Sequence, residues 1–140
     1  MKWLLDTCVV SEFAKPAPEP RVVQWLHQQP YDDLALSVLT VGEIEKGIQK
    51  LPESPKKNRL LSWLGTEVMA RFEGRLLDVD IAVAKRWAHI DAESESKGRP
   101  LAAIDGLIAA TGLVHQLTLV TRDTPDMEAI GVPLFNPWNS

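Results

Sequence analysis

The fold of this chain is decided at residues 1–11, MKWLLDTCVVS. The apolar run Trp3–Leu5 stops at a single acid, Asp6, and Thr7 follows as a turn-forming residue. A short apolar run bounded by a polar residue is typical of a buried strand in a parallel sheet. Asp6 is therefore predicted to lie at the edge of the sheet where open α/β sheets bind their ligands.

The bulk composition is that of an ordinary globular protein. The 140 residues, 45% apolar and 24% charged, fit a single domain over residues 1–140. A net charge of −4 and a pI near 5.3 argue against binding nucleic acid through overall charge. The single cysteine and the lack of any stretch near the roughly 20 apolar residues of a membrane span predict a cytoplasmic protein without membrane contact.

Apolar patterning predicts strands that alternate with helices along the chain. Beyond the first strand, further strands are predicted at residues 34–38, 76–80, 117–121 and 132–135. Helices are predicted at residues 7–15 (with Thr7 as N-cap), 20–29, 40–51, 56–71, 81–97 and 104–115, and a short turn or helix at 125–130. This alternation predicts an α/β fold, a three-layer α/β/α domain with a central parallel sheet.

Four acids occupy one kind of topological position, just after a strand or early in the helix that follows it. They are Asp6, Glu43, Asp105 and Asp123. Parallel strands end at the same edge of a sheet, so these side chains are expected to converge. Each acid alone has a simpler explanation as a helix cap, a first-turn acid or a turn residue. Four acids at equivalent positions favour a shared site.

Helix geometry selects between two neighbouring acids, Glu43 and Glu45. At about 100° per residue they flank Ile44 on opposite sides of the apolar stripe, so only one of them faces the pocket. Glu43 lies nearer the end of the preceding strand and is the predicted pocket residue. Glu45 is expected to be solvated and paired with a lysine.

Four carboxylates in a low-dielectric cleft repel one another. A hard divalent cation relieves this repulsion, and magnesium, with manganese as the alternative, takes oxygen ligands of this kind. Such sites serve phosphoryl chemistry, in which the metal lowers the pKa of a bound water and stabilises charge on the phosphate. The acids therefore predict a metal-dependent hydrolase of phosphodiesters.

Four segments together resemble one known family. They are LLDTCVVSE (4–12), LTVGEIEKGI (39–48), AAIDGLIAATG (102–112) and LTLVTRDTPDMEAIGVPLFNPW (117–138). Their order and spacing are similar to those of PIN-domain ribonucleases, and most of all to the VapC toxins of bacterial toxin–antitoxin pairs. The resemblance implies a magnesium- or manganese-dependent ribonuclease that acts on RNA. It also implies a homodimer and a VapB-like antitoxin that blocks the acidic pocket, in a heterotetramer or a larger complex.

The resemblance also implies roles for single residues. Asp6 and Asp105 match the acids that hold the metal most directly, and Glu43 matches the helix acid. Either Asp123 or Asp126 completes the site, and the motif leaves both open. Together with the other three, Asp123 is taken as the fourth catalytic and metal-binding residue.

Several neighbouring positions carry secondary expectations. Thr7 and Thr121 are expected to place hydroxyls at the rim of the site. The chain departs from the family pattern at Cys8, where asparagine is common, and at Met127, where phenylalanine is common. Cys8 has no cysteine or histidine partner nearby in sequence and is expected to be a small core residue.

Three other functions remain open for such a chain: a phosphorelay receiver domain, a module whose acidic pocket docks a basic partner, and a structural domain whose acids are only caps. A receiver normally carries a lysine at the end of a late strand, whereas here that strand ends in Thr121, Arg122 and Asp123, which argues against a receiver. Basic side chains available for phosphate contact are Lys46, Lys50, Arg86 and Arg99. The RNA target itself is not encoded in any recognisable motif.

Overall fold

The central sheet is parallel throughout. The structure is a computed structural model that describes residues 1–139. Within that range the strands are β1 (Trp3–Leu5), β2 (Leu34–Ser37), β3 (Leu76–Leu77), β4 (Thr118–Val120) and β5 (Leu134–Phe135). Their order across the sheet is β3-β2-β1-β4-β5. The predicted parallel sheet is confirmed, with the N-terminal strand at its centre.

Helices cover both faces of this sheet. They are α1 (Thr7–Glu12), α2 (Pro20–His27), α3 (Val38–Gln49), α4 (Pro55–Ser62), α5 (Met69–Arg71), α6 (Ile81–Ser96), α7 (Ala103–Val114) and α8 (Thr124–Glu128). A π-helical stretch, Trp63–Val68, joins α4 to α5, so the helix predicted at 56–71 is one helical segment with a widened middle. Short 3₁₀ turns lie at Tyr31–Asp33 and Pro137–Asn139.

Adjacent residues of β1 show why the sheet needs cover on both faces. Leu4 packs into a cluster with Ile108 and Leu119, whereas Leu5 packs into a second cluster with Val120. Successive side chains of a strand point to opposite faces, so a continuous apolar run is stable only when both faces are buried. Leu4 is 0% exposed and Leu5 is 2% exposed, as this arrangement requires. The predicted three-layer fold is confirmed.

The strands are shorter than predicted, most of all β3. It ends at Leu77, although the pattern had extended it to residue 80. Asp80 caps α6 instead, and its Oδ1 accepts the N–H of Val83 at 2.9 Å. An acid that satisfies an unpaired helix N–H is more stable in that position than as a strand residue.

The register of the central strands sets the position of the site. Leu5 lies opposite Val120, so the residues that follow them, Asp6 and Thr121, leave the sheet side by side. The Asp6 N–H donates to the Val120 carbonyl at 2.9 Å and continues this pairing by one residue. Two segments more than 110 residues apart in sequence are thereby brought together.

Close packing of α6 on α7 places the first turn of α7. A Cβ on Gly106 would lie only 3.0 Å from Cδ1 of Trp87, so any residue larger than glycine would require the Trp87 side chain to shift. Gly106 directly follows Asp105. The glycine therefore lets Trp87 pack where α7 presents its acid to the sheet edge.

Candidate active site at the sheet edge

Asp6 lies at the floor of the site and is 8% exposed. Its Oδ1 accepts the N–H of Thr7 at 2.8 Å, which makes Asp6 the N-cap of α1. Its Oδ2 accepts the hydroxyl of Thr121 at 2.8 Å. The prediction of Thr7 as N-cap was wrong, because the helix begins one residue earlier and the carboxylate is the stronger acceptor for the free N–H. Asp6 therefore both caps α1 and forms part of the site.

The two threonines orient the acids. Thr7 donates its hydroxyl to Oε1 of Glu43 at 2.6 Å, which links α1 to α3. Thr121 is 0% exposed and lies beneath Asp6, whereas the sequence had placed it at the rim. Its hydroxyl also accepts the N–H of Asp123 at 3.0 Å. Three of the predicted acids are therefore positioned by these two hydroxyls.

The choice of Glu43 over Glu45 agrees with the structure. Glu43 is half-buried against Thr7, Ile44 is buried, and Glu45 is exposed on the far side of α3. The expected lysine partner of Glu45 was wrong, since its carboxylate accepts a hydrogen bond from Gln49 at 2.8 Å. Gln49 is one helical turn further on and lies on the same exposed face.

The pKa of Asp105 is affected by all the other acids of the site. It lies in the first turn of α7 and is half-buried. Burial raises its pKa above the ordinary value, and the negative charges of Asp6, Glu43, Asp123 and Asp126 raise it further. The structure therefore brings the four predicted acids and Asp126 within electrostatic reach of one another.

Asp123 and Asp126 lie together at the exposed side of the site. Asp123 immediately precedes α8, and Asp126 lies in its first turn. Partial burial raises the pKa of Asp123 most. The negative charge of Asp126 raises it further, and Asp6 adds a smaller contribution. Both acids also act on Asp105, so both remain candidates for the fourth position.

The donor set fits a hard divalent cation. Burial raises the pKa of Asp6, the negative charge of Glu43 adds to that effect, and the hydrogen bonds from Thr121 and Thr7 oppose it. A cation would relieve this unfavourable charge, and the groups that face it are carboxylate oxygens. Within residues 1–139, however, no three His, Cys, Asp or Glu side chains are already arranged closely enough to hold an ion.

Replacing Asp105 with asparagine should stabilise the metal-free protein at neutral pH. The pKa of Asp105 is raised in the folded state, so its favourable contribution is complete below the unfolded pKa and is lost as pH rises through the folded value. Thermal denaturation in chelator from about pH 4 to pH 8 measures this loss. We expect a smaller decline with pH in Asp105→Asn than in the wild type. The exposed Glu45→Gln variant is the control, and equal declines in all three proteins would contradict the prediction.

Glu12 is a buried acid that the sequence analysis missed. It is 2% exposed and accepts from Trp138 Nε1 at 3.3 Å and from the Arg122 guanidinium at 3.4 Å, and Lys15 pairs with it at 3.0 Å. The Arg122 guanidinium also lies 4.2 Å from the centre of the Trp138 ring. The sequence did contain an indication of this burial. Glu12 lies three residues after Val9, and this spacing puts both residues on the buried face of α1.

Cys8 and Met127 both pack against the apolar core. The Cys8 thiol lies 3.7 Å from the Thr121 hydroxyl, and burial raises its pKa, which favours the protonated thiol. Met127 is 1% exposed within the core cluster beneath β4. Both departures from the family pattern therefore leave the acidic residues unaffected.

Two concave surfaces lie near these elements. The first has a volume of about 540 Å³ and is lined by Asp105 and Asp126 together with residues of α6 and the following loop. The second, about 600 Å³, is a mainly apolar groove between α1, α2 and the π-helical stretch.

Among residues 1–139 there is no helix of the length and apolarity needed to cross a bilayer.

Comparison with known proteins shows the family of this chain. The PIN domain family profile matches residues 3–131. Toxin FitB of Neisseria gonorrhoeae is 43% identical over 97% of this chain and 98% of its own length. VapC ribonuclease Y4jK of Sinorhizobium fredii is 34% identical over 96% of each chain. The crystal structure of FitAcB from Neisseria gonorrhoeae superposes with a TM-score of 0.93 at 42% identity and covers 99% of both chains. The chain therefore belongs to the PIN-domain family and, within it, to the VapC family of toxins.

Proposed function

We propose that this chain is a metal-dependent endoribonuclease and the toxin of a toxin–antitoxin pair. The observation that carries the proposal is the placement of four acids at one edge of the sheet, where Thr121 binds Asp6 and the backbone of Asp123, Thr7 binds Glu43, and Asp105 lies in the first turn of α7. Carboxylates gathered at one site repel one another, and a cation relieves that repulsion. The similarity to a protein named VapC ribonuclease supports RNA as the substrate.

In this proposal Asp6 and Asp105 hold the cation, and Glu43 and Asp123 complete its surroundings. Magnesium is the proposed ion and manganese the alternative. The bound ion supplies a Lewis acid that lowers the pKa of a water and offsets charge on the phosphodiester. Hydrolysis in line breaks the bond between phosphorus and the 3′ oxygen and leaves a 5′-phosphate and a 3′-hydroxyl.

The threonines contribute by orientation. Thr121 donates to one oxygen of Asp6 and Thr7 to one oxygen of Glu43, so each carboxylate keeps lone pairs free for the site. The hydroxyl of Thr121 also fixes the backbone of Asp123. Such groups hold acidic side chains in a productive direction before substrate arrives.

We also propose an antitoxin as the regulatory partner. The similarity to a protein named Toxin FitB supports a toxin role. A pocket of four acids attracts a basic segment, and such a segment would occupy the space that the substrate needs. Homodimer formation, and a heterotetramer or larger complex with the antitoxin, remain predictions from the family resemblance.

The proposal is tested by RNA cleavage under three conditions. With magnesium or manganese, we expect the purified chain to cleave RNA. Cleavage should stop in excess chelator and return when the cation is restored, and the complex with the antitoxin should be inactive. Cleavage that persists in chelator would contradict metal dependence. RNA binding without cleavage in any condition would instead favour the non-catalytic acidic-pocket module.

A further inference from the structure

The cleft of about 540 Å³ is lined in part by two acids of the site, Asp105 and Asp126. Its walls are the C-terminal half of α6, the loop at 97–102, the first turn of α7 and helix α8. Asp105 and Asp126 are part of this lining, so the cleft adjoins the acidic site. A strand that places a phosphate at the acids therefore has this cleft within reach of its next nucleotide.

The lining of the cleft combines apolar, basic and acidic groups, and its acids are Glu93, Asp105 and Asp126. Its apolar wall is formed by Ile90, Pro100, Leu101, Pro125, Ala129 and Ile130. Lys97 and Arg99 are the basic residues that line it. The volume is within the range of small-molecule sites, roughly 300–1,000 Å³. A flat base matches the apolar wall, and a charged phosphate matches the basic groups.

Arg99 is the cation available for a ligand. Lys97 is paired with Glu93 at 2.8 Å, whereas Arg99 forms no ion pair with any residue in the described range 1–139. The backbone N–H of Arg99 donates to the Ser94 carbonyl at 2.8 Å, which fixes the loop that carries it. The other basic candidates, Lys46, Lys50 and Arg86, do not line the cleft.

We propose that this cleft binds the nucleotide adjacent to the scissile phosphate of a single RNA strand. The base lies against the apolar wall, and the phosphate of that nucleotide accepts hydrogen bonds from the Arg99 guanidinium. A base enters such a cleft only when it is unstacked and unpaired, so the substrate is single-stranded there. The guanidinium also offsets the repulsion between the acids and the polyanionic substrate. This inference rests on the proposed ribonuclease function.

The first test compares Arg99→Gln with Arg59→Gln, which removes the same charge from an exposed position on α4 outside the cleft. We expect Arg99→Gln to raise KM for a single-stranded RNA about tenfold with little change in kcat, because a uniform binding contact is lost. Arg59→Gln should cleave like the wild type. Wild-type KM in Arg99→Gln would overturn the cleft assignment while the ribonuclease proposal stands.

A binding measurement separates phosphate contact from catalysis. Fluorescence anisotropy of a labelled RNA hexamer is measured in Asp6→Asn and in Asp6→Asn/Arg99→Gln, both of which should be unable to cleave. Loss of one phosphate contact should reduce the slope of log affinity against log salt by about 0.7. Equal slopes in the two proteins, or no measurable binding by Asp6→Asn, would overturn the inference.

A second variant tests the apolar wall. Ala129 is exposed and lines the cleft, so Ala129→Trp should fill the space without disturbing the core. We expect at least a tenfold loss of kcat/KM with an unchanged melting temperature. Full activity in Ala129→Trp would show that no base occupies the cleft. A wild-type protein that cleaves no RNA would instead refute the proposed function itself.

Discussion

Asp6→Asn and Asp105→Asn should each reduce RNA cleavage by about 100-fold or more. The proposed cation contributes several kcal/mol of charge stabilisation, and each 1.4 kcal/mol or so corresponds to a tenfold change in rate. Removing one carboxylate from the pair that holds the ion most directly removes much of that contribution. Initial rates on a single-stranded RNA in saturating magnesium measure the effect.

The same two variants should stay folded, which separates this effect from unfolding. An asparagine at position 6 keeps the Oδ1 acceptor for the Thr7 N–H, and its amide donates to the hydroxyl of Thr121. At position 105 the change removes a charge that neighbouring acids already disfavour. Circular dichroism and thermal denaturation should match or exceed the wild type. Glu45→Gln is the control, and a rate within tenfold of wild type in either site variant would refute the proposed metal ligands.

Glu12→Ala should reduce the free energy of unfolding by about 2 kcal/mol. The change leaves the indole N–H of Trp138 without its acceptor and removes the carboxylate shared by Arg122 and Lys15. Breaking a fully buried ion pair costs about 3–5 kcal/mol, and the expected loss is smaller because both cations are half exposed. Urea denaturation measures it.

The effect should extend to activity, because Arg122 lies between two residues of the site. Thr121 binds Asp6 on one side, and Asp123 follows on the other. We expect Glu12→Ala to lower kcat even where the protein is fully folded, and Glu12→Gln, which keeps an acceptor for Trp138, to recover part of the stability. Lys15→Ala is the matched control, since it removes only an exposed partner and should change stability by about 0.5 kcal/mol or less. Wild-type stability in Glu12→Ala would refute this role.

Several features were predictable because they depend on local pattern. The apolar run before Asp6 predicted β1, and the alternation of periods predicted the parallel sheet. The choice of Glu43 required only the angle between successive helical residues. Element ends were predicted less well. Strand β3 ended early at Leu77, and Thr7 proved not to be the cap, because in each case an aspartate met the first free N–H groups of a helix.

Other features depend on which distant segments the sheet brings together. The bonds from Thr121 to Asp6 and from Trp138 to Glu12 join residues more than 110 positions apart, which no periodicity encodes. The sequence also does not distinguish Arg99 from the other basic residues. Only the folded chain shows that Arg99 lines the cleft. Chain pattern thus specified the acids and the order of strands and helices, since both follow from short-range repeats. The hydrogen-bond partners of those acids, and the placement of Arg99 in the cleft, were decided by register and packing. Register and packing set the distances between residues that are remote in sequence.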